Sequence, residues 1–436
     1  MNATVRSDAL EPYVEAFDAA RPFAGETEAA RTLAFERFAE LGFPSPRDES
    51  WKYTNLRRLE SRRFSSTAPD TGAMLRAATV PELAPHRVVL LDGRCVASRG
   101  PGMPPLSGVR IRTLAEAIAD GEPQSALFRV PSGGGTERFA ALNVALCPDV
   151  LVVDIDEGAR LAEALQIDLA SSGTERGMSH PRLLIRAAAG SSARIVLRHA
   201  GGEDAEHFVN AFVEVEAGPD AELRLYRLQA QGGRGFLVER LEATLGQRAL
   251  LEIHDAQLGA SLTRLDLNAR LAAPGSTARL TGLFLADGSR HMDTHVHVDH
   301  LAPHTTSLVD YRGIAAGRGR GVFSGKAIVH AGAQKSQARQ VSRNLLLTAG
   351  AEIDSKPELE IYADDVQCSH GSTTGQLDPA ALFYLRSRGL GQHEARGALT
   401  RAFAGAVLSR MDHGPFAAAV HATLDDRLVR LLETTE

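Results

Sequence analysis

The chain has 436 residues, a formal net charge of -6, 44% hydrophobic and 23% charged residues, and only 5% aromatic residues. That length exceeds one compact core, so two or three domains are expected in an ordinary globular protein. The acidic balance argues against an electrostatic grip on nucleic acid or an anionic membrane, and no apolar run is long enough to cross a bilayer. Three scattered cysteines, Cys95, Cys147 and Cys368, form no CxxC pair. Neither a disulfide framework nor a self-contained thiolate metal site is indicated, and a reducing compartment fits. The start of the chain lacks a basic stretch followed by an apolar one, so a cytoplasmic location is expected.

The first ~60 residues read as helical by spacing. Leu33, Phe35, Phe38, Leu41 and Phe43 form a stripe, with Glu28, Arg31, Glu36, Arg37 and Glu40 opposite, and Gly42, Pro44 and Pro46 end the helix. From about Pro85 the pattern changes: His86 to Arg94 is a strand ending in an Asp-Gly turn signal. The glycine run at 133–135 marks a flexible loop and a soft boundary.

Between about 149 and 368, short alternating stretches recur, as in 193–198, 221–226, 265–271 and 278–280. Each has one apolar face and one wet face. Similar small-residue turns separate them, at 189–193, 217–221 and 273–278, with almost no amphipathic helix between. A doubly wound α/β fold is thereby excluded, since its strands alternate with crossover helices. A sandwich and a β-helix remain, and the resemblance between turns favours the β-helix.

Beyond this zone three helices are predicted. The first has Asp378 as N-cap, Pro379 at N1, the stripe Leu382, Phe383 and Leu385, and Gly389 as its stop. The second carries Leu399, Phe403, Val407 and Leu408; the third carries Val420, Leu424, Leu428, Leu431 and Leu432. The expected divisions are 1–148 (helical and mixed), 149–368 (β core) and 369–436 (a helical docking module).

Three motifs carry possible chemistry. The glycine-rich stretch ending in Gly325-Lys326 fails as a phosphate loop, because Arg320 and Ala327 stand where a glycine and a hydroxyl are needed. No nucleotide site is therefore expected on this chain. The run His295-Val296-His297-Val298-Asp299-His300 has the spacing of metallo-β-lactamase-type zinc hydrolases, with His291 and His304 nearby. The surrounding β pattern lacks that class's alternating helices, so a zinc hydrolase using His295, His297, Asp299 and His300 is the alternative reading. A carbohydrate-binding β-helix is disfavoured by the scarcity of aromatic rings. Third, Cys368 and His370 lie two apart, so on a strand they share one face. Both suit iron, and two ligands alone leave a coordination sphere for another chain to complete.

Residues 357–390, PELEIYADDVQCSHGSTTGQLDPAALFYLRSRGL, resemble the signature region of the SufB/SufD family of iron–sulfur cluster assembly scaffolds, its SufD branch in particular. Trp51-Lys52-Tyr53-Thr54, Phe139 to Asn143, His300 with Thr305 to Ser307, Tyr311-Arg312-Gly313, Gly325-Lys326, Gln340 and Asn344 to Leu347 resemble further family segments. The resemblance implies a right-handed parallel β-helix core flanked by N-terminal and C-terminal α-helical regions. It implies a non-catalytic subunit paired with a SufB-type subunit through the C-terminal end of the β-helix. A SufC-type ABC ATPase would dock on residues 379–433, and the isolated chain would be a possible homodimer. It also implies that His370, and second Cys368, hold iron or a nascent iron–sulfur cluster shared transiently with the SufB-type subunit. The sequence departs from the family pattern at 159–167, which lacks a proline expected where the core begins, and in its extra histidines at 291, 295 and 297.

Overall fold

A computed structural model describes residues 3–20, 27–66, 82–97, 106–130, 137–172, 176–202 and 205–433. The glycine run at 133–135 lies outside them.

The alternating stretches of the middle zone become strands of eight to eleven residues, from Ser192–Ala200 through Gln367–Gly375. Consecutive strands fall in opposite sheets, and each pairs in parallel with the strand two further on. One ladder thus joins Phe208 to Phe236, Phe236 to Leu262, Leu262 to His291, His291 to Arg320 and Arg320 to Glu352. A sandwich of antiparallel hairpins cannot produce that order; a chain winding in coils does. The result is a parallel β-solenoid of an eleven-stranded and a ten-stranded sheet. Antiparallel pairs close its start: His86–Leu91 with Arg94–Ala97, and Val109–Arg112 with Leu151–Ile155. The predicted Asp-Gly turn joins the first pair, with Asp92 and Gly93 at positive φ.

The resemblance among turns has a physical basis. Gly158, Gly190, Asp220, Arg248, Gly275, His304 and Lys335 each occupy the left-handed region. The N–H of each donates to a carbonyl in the next coil's turn: Gly190 to Pro219 O at 2.8 Å, Arg248 to Pro274 O at 3.0 Å, Lys335 to Asp365 O at 2.7 Å. One left-handed residue at each of these turns reverses the chain, and the stacked bonds satisfy backbone groups that a loop would leave to water.

Inward side chains such as Leu223, Leu251, Leu280 and Val309 fill the space between the sheets. Outer faces are covered unequally. Tyr13, Phe17, Phe38, Trp51 and Phe139 pack on Phe208, Phe236 and Leu262 of one sheet. On the other sheet, Val407, Leu408, Phe416, Val420, Leu424 and Leu428 pack on Tyr226, Ala256, Leu283 and Ile314. The last four helical positions recur every four residues along Gly414–Glu433, each fully buried apolar side chain contributing about 1.5–3 kcal/mol. Among the described residues no helix is long and apolar enough to cross a membrane.

One helical expectation needs correction, the stripe of the first zone. In Thr27–Leu41 the buried positions are Thr27, Arg31, Ala34 and Phe38, while Leu33 is 69% exposed. Arg31 turns inward because its guanidinium caps the helix Glu137–Leu146, donating to Cys147 O at 2.7 Å. The helix Pro379–Ser387 forms with its Asp378 cap, whose side chain accepts from Ala380 N at 2.9 Å, yet buries none of its residues. Of its stripe, Leu382 and Leu385 are half-buried and Phe383 is exposed. The last strand also runs through Gly375, so the β region continues past position 368.

Candidate functional site

Among the described residues nothing buries the last two strands of the solenoid. The strand His207–Ala217 is buried at ten of its eleven positions, whereas Glu352–Ile361 and Gln367–Gly375 contain no buried residue. These two strands are the outermost of their sheets, so their backbones and inward side chains form the mouth of the lumen.

Alternation decides which residues face into that mouth. Cys368, His370, Ser372 and Thr374 pair with Ala338, Gln340, Ser342 and Asn344, all four of which are buried inside the preceding coil. Ser372 Oγ donates across the lumen to Ser355 Oγ at 2.8 Å, and Asn344 Nδ2 donates to Thr374 Oγ1 at 3.4 Å. Gln340 Nε2 donates to Glu358 O at 2.9 Å. The apolar filling of earlier coils therefore gives way to amides, hydroxyls, a thiol and an imidazole.

Cys368 and His370 share the inward face, as their spacing predicts. Cys368 is half-buried beside Ala338, Leu359 and Val366, and burial pushes its thiol up from the ordinary value. A thiol held protonated ligates metal only once a cation or a new neighbour favours the thiolate. His370 is exposed at the mouth. At the end of the other last strand Ile361 is 45% and Tyr362 63% exposed, and on the following helix Phe383 and Tyr384 are 75% and 57% exposed. On the outer face, Lys356 Nζ lies 2.6 Å from Glu358 and 3.0 Å from Glu49, and Lys326 Nζ lies 2.6 Å from Glu360. These pairs tie the last coil to its neighbour and to the N-terminal region.

The histidine-rich strand His291–His300 is split by the same alternation. His295, His297 and Asp299 lie on the outer face, and His300 is buried on the inner one. His300 Nδ1 bonds Thr305 Oγ1 and its Nε2 bonds Ser307 Oγ, both at 2.8 Å, and burial lowers its pKa to about 4. Both ring nitrogens are thus engaged within the chain. His295 pairs with Asp293 at 3.1 Å; His297 and His330 lie 3.6 and 3.1 Å from Asp299. His291 Nε2 bonds Thr54 Oγ1 at 2.7 Å, in a network where Arg264 reaches Asp293 at 2.7 Å and lies over the Trp51 ring. Among the described residues no three His, Cys, Asp or Glu side chains are arranged to hold a metal ion. The zinc-hydrolase set is not assembled.

Sequence reasoning missed a charged cluster inside the solenoid. Arg227 Nε donates to Glu239 Oε2 at 2.8 Å and its Nη1 to Asp255 Oδ1 at 2.6 Å; His199 Nε2 lies 2.8 Å from Glu239. All four side chains are fully buried. Their signal was a charge at an inward position of the period-two pattern.

The family model for the SufBD core domain of the SUF system for FeS cluster assembly matches residues 169–403, and that for the SufBD N-terminal region matches residues 20–167. The iron–sulfur cluster assembly protein SufD of Escherichia coli is 29% identical over 90% of this chain and 91% of its own length. A SufBD family iron–sulfur cluster assembly protein of Synechocystis is 29% identical over 87% and 86%. A chloroplastic protein of Arabidopsis thaliana is 25% identical over 87% and 82%.

Proposed function

The chain belongs to the SufBD family of iron–sulfur cluster assembly proteins, and on that premise we propose that it is the SufD-type scaffold subunit of a SufB–SufC–SufD complex. The observation that carries this is the uncapped last coil. A solenoid that stops on exposed strands invites another sheet to continue it, because strand addition satisfies the free backbone groups. A SufB-type subunit is the proposed continuation, with a second copy of this chain in its place when the subunit is alone.

At that junction Cys368 and His370 would face ligands from the partner. Two ligands fall short of the four typical of a cluster, so iron or a nascent cluster is cargo shared across the interface. His370, exposed, is the first ligand; Cys368 joins once its thiol ionises. The exposed helix Pro379–Ser387, with Phe383 and Tyr384, supports a second contact, for a SufC-type ATPase that carries the nucleotide. The chain's part is non-catalytic and cytoplasmic. ATP-driven change in SufC would reach the junction only as far as SufC binds two scaffold shapes with different affinity.

The test is co-expression with SufB- and SufC-type partners and Tyr362→Glu. A carboxylate placed on the edge of the last coil should abolish co-purification of the SufB-type subunit while retaining SufC. Retention of both by the variant would remove the open coil from the interface.

A further inference from the structure

Stacking places Arg224, Glu252, Arg279, Leu308 and Arg339 in one column on the outer face of the ten-stranded sheet. Beside it run Tyr226, His254, Thr281 and Asp310, and the connection at 409–413 between the last two helices forms a wall with Arg410 and Asp412. The groove so bounded has a volume of about 580 Å³, within the range of small-molecule sites.

Its charges do not balance. Five guanidiniums meet three carboxylates. Glu252 is shared by Arg224 at 2.6 Å and Arg279 at 2.7 Å; Asp310 is shared by Arg410 at 2.9 Å and Arg343 at 3.5 Å. Asp412 accepts the Tyr226 hydroxyl. Among the described residues no carboxylate pairs with Arg339. His254, stacked on Tyr226 and 7% exposed, forms part of the floor.

We propose that this groove binds a small organic anion carrying two or more phosphate or carboxylate groups. Arg339 binds one end of the anion and Arg279 the other. The two residues stand two strand spacings apart, roughly 10 Å, with Leu308 between them. Guanidinium suits this role because its planar fork grips an oxyanion through paired bonds. A monovalent ion reaches one end only. The groove lies on the outer face, whereas Cys368 and His370 face the lumen.

Calorimetric titration of the full chain with pyrophosphate, citrate and, separately, a polyglutamate peptide, at matched ionic strength, tests this. Pyrophosphate or citrate should bind the wild type, and Arg339→Gln should weaken that binding about tenfold, the worth of one charge-assisted contact. Arg279→Gln should weaken it as well. Arg318→Gln, which removes an exposed charge elsewhere, should not. No binding of either small anion, or equal loss in Arg318→Gln and Arg339→Gln, overturns the proposal. Binding of the peptide alone, lost in Arg339→Gln, also overturns it in favour of an acidic protein segment.

Discussion

Replacing Arg227 by Met would remove one cation from a fully buried cluster and leave Glu239 and Asp255 facing each other between the sheets. Methionine fills most of the volume, so the loss is electrostatic rather than a cavity. In the native protein, burial would raise the Glu239 carboxyl, but Arg227 and His199 hold it well below the usual carboxylate range. Asp255 is already held above its ordinary value by burial, against the pull of Arg227. Removing one partner of a buried pair destabilises by about 3–5 kcal/mol, because the remaining charge is uncompensated. The triple variant Arg227→Met, Glu239→Gln, Asp255→Asn removes the charges together and should recover most of that loss. Urea unfolding followed by far-UV circular dichroism reports the solenoid. Trp51, the sole tryptophan and packed under Arg264, reports the N-terminal layer by fluorescence. A single variant within about 1 kcal/mol of wild type, or a triple variant no more stable than the single one, would refute the reasoning.

Acid should unfold the chain through its buried histidines. Burial lowers His180 to about 3, His207 to about 4 and His300 to about 4, from 6.5. Between pH 6.5 and 4 the unfolded chain binds more protons at these sites, so stability is full above 6.5 and falls as pH drops. With about 1.4 kcal/mol per pH unit for each group, the slope near pH 5 reaches about 4 kcal/mol per unit. A urea midpoint unchanged between pH 7 and 5 would contradict this. Gly282→Ala should destabilise by about 1–3 kcal/mol, since a Cβ there would overlap the Tyr311 ring inside the core. A melting temperature equal to wild type would show that the ring has room to move.

The β region was legible because its inward and outward residues alternate, and the small-residue turns read at 189–193, 217–221 and 273–278 hold the left-handed Gly190, Asp220 and Gly275. Pairing Cys368 with His370 on one face followed from the same period, and the parity of positions 299 and 300 foretells that His300 leaves the face of His295, His297 and Asp299. Strands covered on both faces carry no such signal: His207–Ala217 is almost uniformly buried, because helices lie on its outer side. The inward turn of Arg31 depends on a helix end more than a hundred residues away. The exposure of Phe383 was hidden for the opposite reason, since an apolar stripe looks alike whether its cover is this chain or another. The arginine groove needs the coil register, which unequal turn lengths conceal.

The account rests on the open coil and its inward His370. The deciding measurement is iron per complex after anaerobic co-purification with SufB- and SufC-type partners, wild type against His370→Ala. The proposed role predicts an intact complex that has lost most of its iron or cluster. An intact complex with iron content unchanged would contradict it and leave this subunit a purely structural neighbour.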